Sequence, residues 1–123
     1  MENKKTILMI EDDSFLRGLY RDKFEKEGFL FIEATSGIEG MNKIVNENPN
    51  LVILDLLLPM RGGFDVLEEM NNNGIIEKIP VIILSNLKQG TDIEEARRLG
   101  SKDYFIKSET NFSELLERVQ EII

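Results

Sequence analysis

Residues 51–59 read Leu51-Val52-Ile53-Leu54-Asp55-Leu56-Leu57-Leu58-Pro59, and they place a carboxylate directly after four consecutive apolar residues. A continuous apolar run, rather than alternation of apolar and polar residues, is typical of a strand that helices cover on both faces. The residue after such a strand lies at the carboxyl edge of a parallel sheet, where ligands bind. The stretch therefore predicts a central parallel strand with Asp55 at its tip.

Four more apolar runs divide the rest of the chain in the same way. Amphipathic segments with apolar residues at helical spacing lie between them, and each run with its segment takes about 25 residues, enough for a strand and a crossover helix. Right-handed crossovers then give a doubly wound α/β fold, with a five-stranded parallel sheet and five helices. The four runs are Ile7–Ile10, Phe29–Ile32, Val81–Leu84 and Tyr104–Ile106.

Capping residues and glycines predict where helices begin and end. Ser36 with Glu39, and Asn111 with Glu114, have the spacing of a capping box, in which side chains bind the free N–H groups of a first turn. Glycine is common just after a helix, because it adopts the left-handed conformation without strain. The glycines at expected helix ends are Gly28, Gly74 and Gly100.

The composition excludes several kinds of site. A length of 123 residues predicts one domain. The chain has no cysteine and no histidine, which excludes disulfides, zinc–thiolate sites, thiol nucleophiles and serine–histidine relays. Any chemistry must therefore use carboxylates, hydroxyls or lysine.

The charge balance limits the classes of partner that the chain is expected to bind. The chain has 15 basic and 23 acidic side chains, a net charge of -8, which argues against a surface for nucleic acid or for anionic lipid. The first apolar run has only four residues, too few for a signal peptide or a membrane span. We therefore expect no nucleic-acid partner, no membrane association and a cytoplasmic location.

Polar side chains follow four of the five expected strands. Glu11 and Asp12 follow the first, Asp55 the third, Ser85 the fourth and Lys107 the fifth. These side chains converge if the second strand lies at the edge of the sheet. Clustered carboxylates repel one another unless a cation neutralises them, and oxygen donors without histidine or thiolate favour Mg²⁺. Lys107 and Ser85 then suit a phosphoryl group, with Asp55 as nucleophile.

Each of these residues also has an ordinary structural interpretation. Asp13 or Ser14 is expected to cap the first helix, and capping is the preferred role for either residue alone. Asp55 suits a turn and Lys107 suits a solvated surface, just as Ser85 suits a loop. It is less plausible that four separate strands place such groups at one rim by chance. Their joint placement therefore favours a functional site.

The whole chain resembles the receiver domain of bacterial two-component response regulators. The resemblance rests on four segments together, none of which is specific alone. The segments are Ile10-Glu11-Asp12-Asp13, Leu54 to Pro59 with Gly62-Gly63, Leu84-Ser85 and Tyr104-Phe105-Ile106-Lys107. The resemblance implies a flavodoxin-like sheet with strand order 2-1-3-4-5. It also implies that residues 1–123 form a single receiver domain, with no effector domain in this chain.

The resemblance also implies a role for each rim residue. Asp55 would accept a phosphoryl group from a phosphohistidine on a sensor histidine kinase or phosphotransfer protein. Asp12, Asp55 and the backbone carbonyl of Leu57 would bind Mg²⁺ directly, and Glu11 would act through water. Lys107 would stabilise charge on the transferring group. The chain would catalyse its own phosphorylation and dephosphorylation without being a conventional enzyme.

Ser85 and Tyr104 are implied to form the switch. Ser85 would move to the phosphoryl group and Tyr104 would turn inward, which would change the surface made by the fourth helix, fifth strand and fifth helix. A downstream protein would bind that surface, with the chain as a monomer or a phosphorylation-dependent dimer. The plain alternative for Tyr104 is a half-buried aromatic residue of the fifth strand.

Three features depart from the family pattern. Ser108 follows Lys107 where the family usually has proline after a cis peptide bond, and a non-proline cis bond costs about 3–4 kcal/mol, so this loop could take either form. Asn86 stands where a smaller residue is frequent, which would narrow access to the site. Leu57 and Leu87 stand where other members carry polar groups that orient the attacking water, which predicts slow self-dephosphorylation.

Other functional classes fit less well. The alternative is a phosphorylation-independent pseudo-receiver that acts only as a protein-interaction module, and the intact set Asp12, Asp55, Ser85 and Lys107 argues against it. A flavin-binding module needs a first loop rich in small and hydroxyl residues, whereas this loop is acidic. A haloacid-dehalogenase-like phosphatase needs a second aspartate two residues after Asp55, where Leu57 stands.

Overall fold

Strands and α-helices alternate along residues 4–123, which are the residues that the computed structural model describes. All five predicted strands and all five predicted helices are present among them. The elements are β1 (Thr6–Ile10), α1 (Ser14–Lys26), β2 (Leu30–Ala34), α2 (Gly37–Glu47), β3 (Leu51–Leu54), α3 (Gly63–Asn72), β4 (Val81–Ser85), α4 (Gly90–Arg98), β5 (Asp103–Ile106) and α5 (Phe112–Ile122), with 3₁₀ turns at Ile75–Glu77 and Lys107–Glu109.

The strands form one parallel sheet in the order β2-β1-β3-β4-β5, as expected. Ile10 at the end of β1 pairs with Leu54 at the end of β3, and Leu54 pairs with Ile83 of β4. This register sets the carboxyl ends of the central strands level with one another. The residues that follow β1 and β3 therefore emerge at the same rim, while β2 lies at the edge.

The core lies on both faces of the sheet. Alternate residues of β1 show the division, because Ile7 and Met9 pack toward α1 and α5, whereas Leu8 and Ile10 pack toward α2, α3 and α4. Burying a side chain of this size stabilises the fold by about 1.5–3 kcal/mol. This two-sided burial explains the continuous apolar runs. No helix within residues 4–123 is long and apolar enough to cross a membrane.

The predicted helix ends are confirmed. Ser36 and Asn111 cap α2 and α5, where their side chains accept hydrogen bonds from N–H groups three residues on, at 3.2 and 2.9 Å. Asp13 caps α1 by accepting from the N–H of Leu16 at 3.1 Å. Three glycines follow helices with positive φ angles: Gly28 (94°), Gly74 (79°) and Gly100 (109°).

Gly63 begins α3 in close contact with the end of β3. A Cβ atom there would lie 2.4 Å from the carbonyl oxygen of Asp55 and 2.6 Å from the Cα of Leu56. Because these are backbone atoms, we expect Gly63→Ala to lower the free energy of unfolding by about 1–3 kcal/mol in urea denaturation. Gly62→Ala is the matched control, since its nearest neighbour would be 3.8 Å away. Equal losses in the two variants would contradict the close approach.

Candidate functional site

The candidate site lies at the carboxyl ends of four strands. Glu11 and Asp12 follow β1, Asp55 follows β3, Ser85 ends β4 and Lys107 follows β5. Carboxylate oxygens of Glu11, Asp12 and Asp55 all lie within 4.8 Å of one another. The structure therefore brings the predicted acidic residues together, as the strand register requires.

Lys107 joins two of these carboxylates. Its Nζ atom lies 2.6 Å from Oδ2 of Asp55 and 2.5 Å from Oε1 of Glu11. Glu11 and Asp55 are only 1% and 4% exposed, and a buried charge is costly unless an opposite charge pairs with it. One ammonium group thus compensates two buried carboxylates, while Asp12 is exposed to solvent.

The ionisation of the cluster follows from burial and charge. Burial raises the pKa of Glu11, and the charge of Asp55 adds to this, against the lowering effect of hydrogen bonds from Lys107 and the Asp13 N–H. Burial alone would lower the pKa of Lys107, but its bonds to Asp55 and Glu11 outweigh that effect and raise it. Lys107 is therefore a permanent cation at neutral pH.

The Asp55 side chain is held in one orientation. Its Oδ1 atom accepts a hydrogen bond from the N–H of Leu57 at 3.1 Å, and its Oδ2 atom accepts from Lys107. The main-chain N–H of Asp55 continues the sheet pairing to the carbonyl of Ile10 at 3.1 Å. Leu57 consequently lies beside the acidic cluster, with its side chain 53% exposed.

Ser85 and Tyr104 both contact the main chain of Leu87. The N–H of Leu87 donates to Oγ of Ser85 at 3.3 Å, and the Tyr104 hydroxyl donates to the carbonyl of Leu87 at 2.5 Å. Burial, with smaller effects from the charges of Asp92 and Asp55, raises the pKa of Tyr104 to about 12. Tyr104 therefore remains a hydrogen-bond donor at neutral pH, and Leu87 links it to Ser85.

Two of the unusual residues bind each other. No peptide bond within residues 4–123 is cis, so the Lys107–Ser108 bond is trans. The N–H of Ser108 donates to Oδ1 of Asn86 at 3.1 Å, and Lys88 pairs with Glu109 at 3.6 Å between the same two loops. Proline has no N–H to donate. The N–H of Ser108, which proline lacks, thus connects this loop to the loop after β4 by a hydrogen bond.

Sequence analysis missed the contribution of Arg17 and Glu33. Arg17 Nη1 donates to the main-chain carbonyl of Glu11 at 2.8 Å, and its Nε donates to Oε1 of Glu33 at 3.1 Å. The sequence feature that could have indicated this contact is the pair of arginines one turn apart, Arg17 and Arg21, on the helix that follows the acidic loop. The partner carboxylate on β2 becomes apparent only once β2 is known to lie beside β1.

Comparison with known proteins agrees with this geometry. The family model "Response regulator receiver domain" matches residues 7–120. Sporulation initiation phosphotransferase F of Bacillus subtilis (strain 168) is 34% identical over 107 residues, which are 87% of this chain and 84% of the relative. Regulator of RpoS of Escherichia coli (strain K12) is 30% identical over 115 residues, 94% of this chain.

These relatives differ in length. The chain spans 34% of the length of Regulator of RpoS. Among solved structures, the Francisella response regulator 1452 receiver domain superposes with a TM-score of 0.89 at 28% identity, over 97% of this chain and 96% of that one. The fold, the rim residues and the match over residues 7–120 lead to one conclusion: the chain belongs to the response regulator receiver domain family.

Proposed function

We propose that the chain is a phosphorylation-activated switch of a two-component phosphorelay. It accepts a phosphoryl group on Asp55 from a histidine kinase or phosphotransfer protein, in a reaction that depends on Mg²⁺. The observation that carries the proposal is the convergence of Glu11, Asp12 and Asp55 with Lys107 at one rim. Membership of the receiver family supports it.

The transfer forms an acyl phosphate on Asp55. A carboxylate oxygen attacks phosphorus and forms an O–P bond, while the N–P bond of the phosphohistidine breaks. The electron pair of that bond returns to the imidazole nitrogen, which takes up a proton. Lys107 already lies 2.6 Å from Oδ2 of Asp55, so its positive charge is in place to stabilise the transferring group.

The acidic residues suit Mg²⁺. They offer hard oxygen donors within 4.8 Å of one another, and the chain has no histidine or cysteine to favour zinc. Asp12, Asp55 and the carbonyl of Leu57 would hold the ion directly, and Glu11 would act through water. Bound there, Mg²⁺ would supply positive charge against the phosphoryl oxygens.

The switch would act through Leu87. Oγ of Ser85 accepts from the Leu87 N–H, and the Leu87 carbonyl accepts from Tyr104. Moving Ser85 to a phosphoryl group would release one of these contacts and alter the loop that holds Tyr104. Because Tyr104 lies on β5 and the loop leads into α4, we propose that the α4–β5–α5 surface binds the downstream protein.

Intact-mass spectrometry after incubation with acetyl phosphate tests the proposal. We expect a gain of one phosphoryl group in the presence of Mg²⁺ and no gain in EDTA. A pseudo-receiver would show no gain under either condition. That result, or equal gains with and without Mg²⁺, would overturn the proposed function.

The phosphorylated state is expected to be long-lived. Leu57 is half exposed beside Asp55 and Leu87 adjoins Ser85, so neither side chain can orient an attacking water by hydrogen bonding. We expect the double variant Leu57→Asn, Leu87→Glu to lose phosphate about tenfold faster, which is about 1.4 kcal/mol of barrier. The decay of purified phosphoprotein measures this, with the exposed Leu30→Asn as control. Decay no faster than in the parent would refute it.

A further inference from the structure

The guanidinium group of Arg17 spans two parts of the sheet. Nη1 donates to the Glu11 carbonyl at 2.8 Å and Nε donates to Oε1 of Glu33 at 3.1 Å. The Arg17 side chain is 14% exposed. Because a guanidinium is planar and its N–H donors point in fixed directions, two such bonds fix both the group and the spacing of its partners.

Glu33, which binds Arg17, is itself held by two further contacts. Its second carboxylate oxygen, Oε2, accepts from Nη1 of Arg21 at 3.0 Å. Its main-chain carbonyl accepts from the ammonium group of Lys43 on α2. Helices on both faces of the sheet therefore hold Glu33 in place at the end of β2, and hydrogen bonds between charged groups are the stronger kind.

Each polar group of Glu11 has either a hydrogen-bond partner or, for Oε1 of its carboxylate, an ion-pair partner. Its N–H donates to the carbonyl of Ala34 at 3.0 Å, and its carbonyl accepts from Arg17. Its carboxylate accepts from the N–H of Asp13 at 3.0 Å and pairs with Lys107 at 2.5 Å. Since Glu11 is 1% exposed, losing a partner leaves a buried polar group unsatisfied, and the loop must shift to regain one.

The carbonyl that Arg17 binds belongs to the peptide group joining Glu11 to Asp12. The orientation of this peptide sets the relative positions of the two carboxylates that follow β1. We infer that Arg17 is a positioning residue for divalent-cation binding, and that Glu33 holds Arg17 in that role. The inference deepens the proposed function and rests on it for the identity of the cation.

Losing Arg17 would change cation affinity in opposite directions, depending on whether Arg17 acts through its charge or through the contacts that position the Glu11–Asp12 peptide. A guanidinium close to a cation site repels the cation, so removing its charge alone would strengthen binding. Contacts that orient metal ligands typically change metal affinity by about 10- to 100-fold when they are lost. If Arg17 acts by position, removing it therefore weakens binding despite the gain in negative charge.

Arg21 provides a matched control. It is the same residue type on the same helix, one turn further on, and it binds the same Glu33 carboxylate. Its other ion pair is with Asp22 at 3.7 Å, whereas the bond to the Glu11 carbonyl comes from Arg17. Arg21→Ala thus removes an equal charge, while the Glu11–Asp12 peptide keeps Arg17 and Glu33 keeps its contacts with Arg17 and Lys43.

Calorimetric titration with Mg²⁺ tests the inference. We expect Arg17→Ala to lower the association constant by about tenfold and Arg21→Ala to change it by less than about twofold. Arg17→Lys keeps the charge but loses the planar pair of donors, so it should lower the constant in the same direction and serves if Arg17→Ala fails to fold. Binding by either Arg17 variant as tight as in the wild type would overturn the inference.

Amide hydrogen exchange in EDTA tests positioning without metal or phosphate. We expect Arg17→Ala to speed exchange of the Asp13 N–H, which binds the Glu11 carboxylate, by about tenfold more than it speeds exchange of the buried Ile53 amide of β3, which reports global unfolding. An unchanged Asp13 rate would overturn the role of Arg17. A wild-type chain that binds no Mg²⁺ would overturn the proposed function, and the exchange rates would still decide whether Arg17 holds the loop.

Discussion

Asp55→Asn is expected to reduce phosphoryl uptake from acetyl phosphate to background. The amide side chain has nearly the same shape, but it is not a nucleophile and cannot form an acyl phosphate. Phosphoryl incorporation followed by mass spectrometry measures the effect. Asp65→Asn, on the exposed side of α3, is the matched control and should keep wild-type uptake. Uptake by Asp55→Asn comparable to that of Asp65→Asn would contradict the proposed role.

Lys107→Met is expected to destabilise the metal-free fold strongly. It would leave Glu11 and Asp55, which are 1% and 4% exposed, without the cation that now lies within 2.6 Å of both. Removing one partner of a buried pair costs about 3–5 kcal/mol. Urea unfolding at neutral pH in EDTA measures this loss, and the exposed Lys102→Met is the control. Similar losses in both variants would contradict the role of Lys107.

The stability that Lys107→Met loses should depend on pH and on Mg²⁺. Burial already raises the pKa of Glu11, and removal of Lys107 takes away a bond that lowers it. A raised pKa means that the folded protein takes up a proton before the unfolded chain does, so stability recovers as the pH falls through that pKa. Mg²⁺ should restore more stability to Lys107→Met than to the wild type, because it replaces the missing positive charge.

The sheet and its rim could be predicted because their determinants are local. Five apolar runs and their spacing specify five buried strands, and Asp55, Ser85 and Lys107 are each adjacent to a run. Pairing of Ile10 with Leu54 then brings Glu11 and Asp55 to one level. Residues that follow parallel strands emerge at the carboxyl edge of the sheet, where ligands bind.

Exposure of the helix faces could not be predicted from periodicity. Ile38 and Val45 share the apolar face of α2 with buried residues, yet they are 48% and 65% exposed. Leu19 on α1 is 41% exposed. Helical spacing tells which residues share a face, but not how far the sheet extends beneath it. A helix that lies over a sheet edge leaves part of its apolar face uncovered.

Side-chain contacts between residues far apart in the sequence could not be predicted either. Arg17 and Glu33 are 16 residues apart, and Asn86 and Ser108 are 22 residues apart. Such pairs depend on strand order, loop path and rotamer together. The boundary of β2 shows the same limit, since pairing with Thr6–Ile10 carries the strand through Glu33 to Ala34, beyond the apolar run that ends at Ile32.

Locating the acyl phosphate tests the central claim most directly. Borohydride reduces an acyl phosphate to an alcohol, which converts a phosphorylated aspartate into homoserine, and fragmentation of the digested protein identifies the residue. After treatment with acetyl phosphate and Mg²⁺, we expect homoserine at position 55 and unmodified aspartate at positions 12 and 13. Reduction at another residue, or at none, would contradict Asp55 as the phosphoryl acceptor.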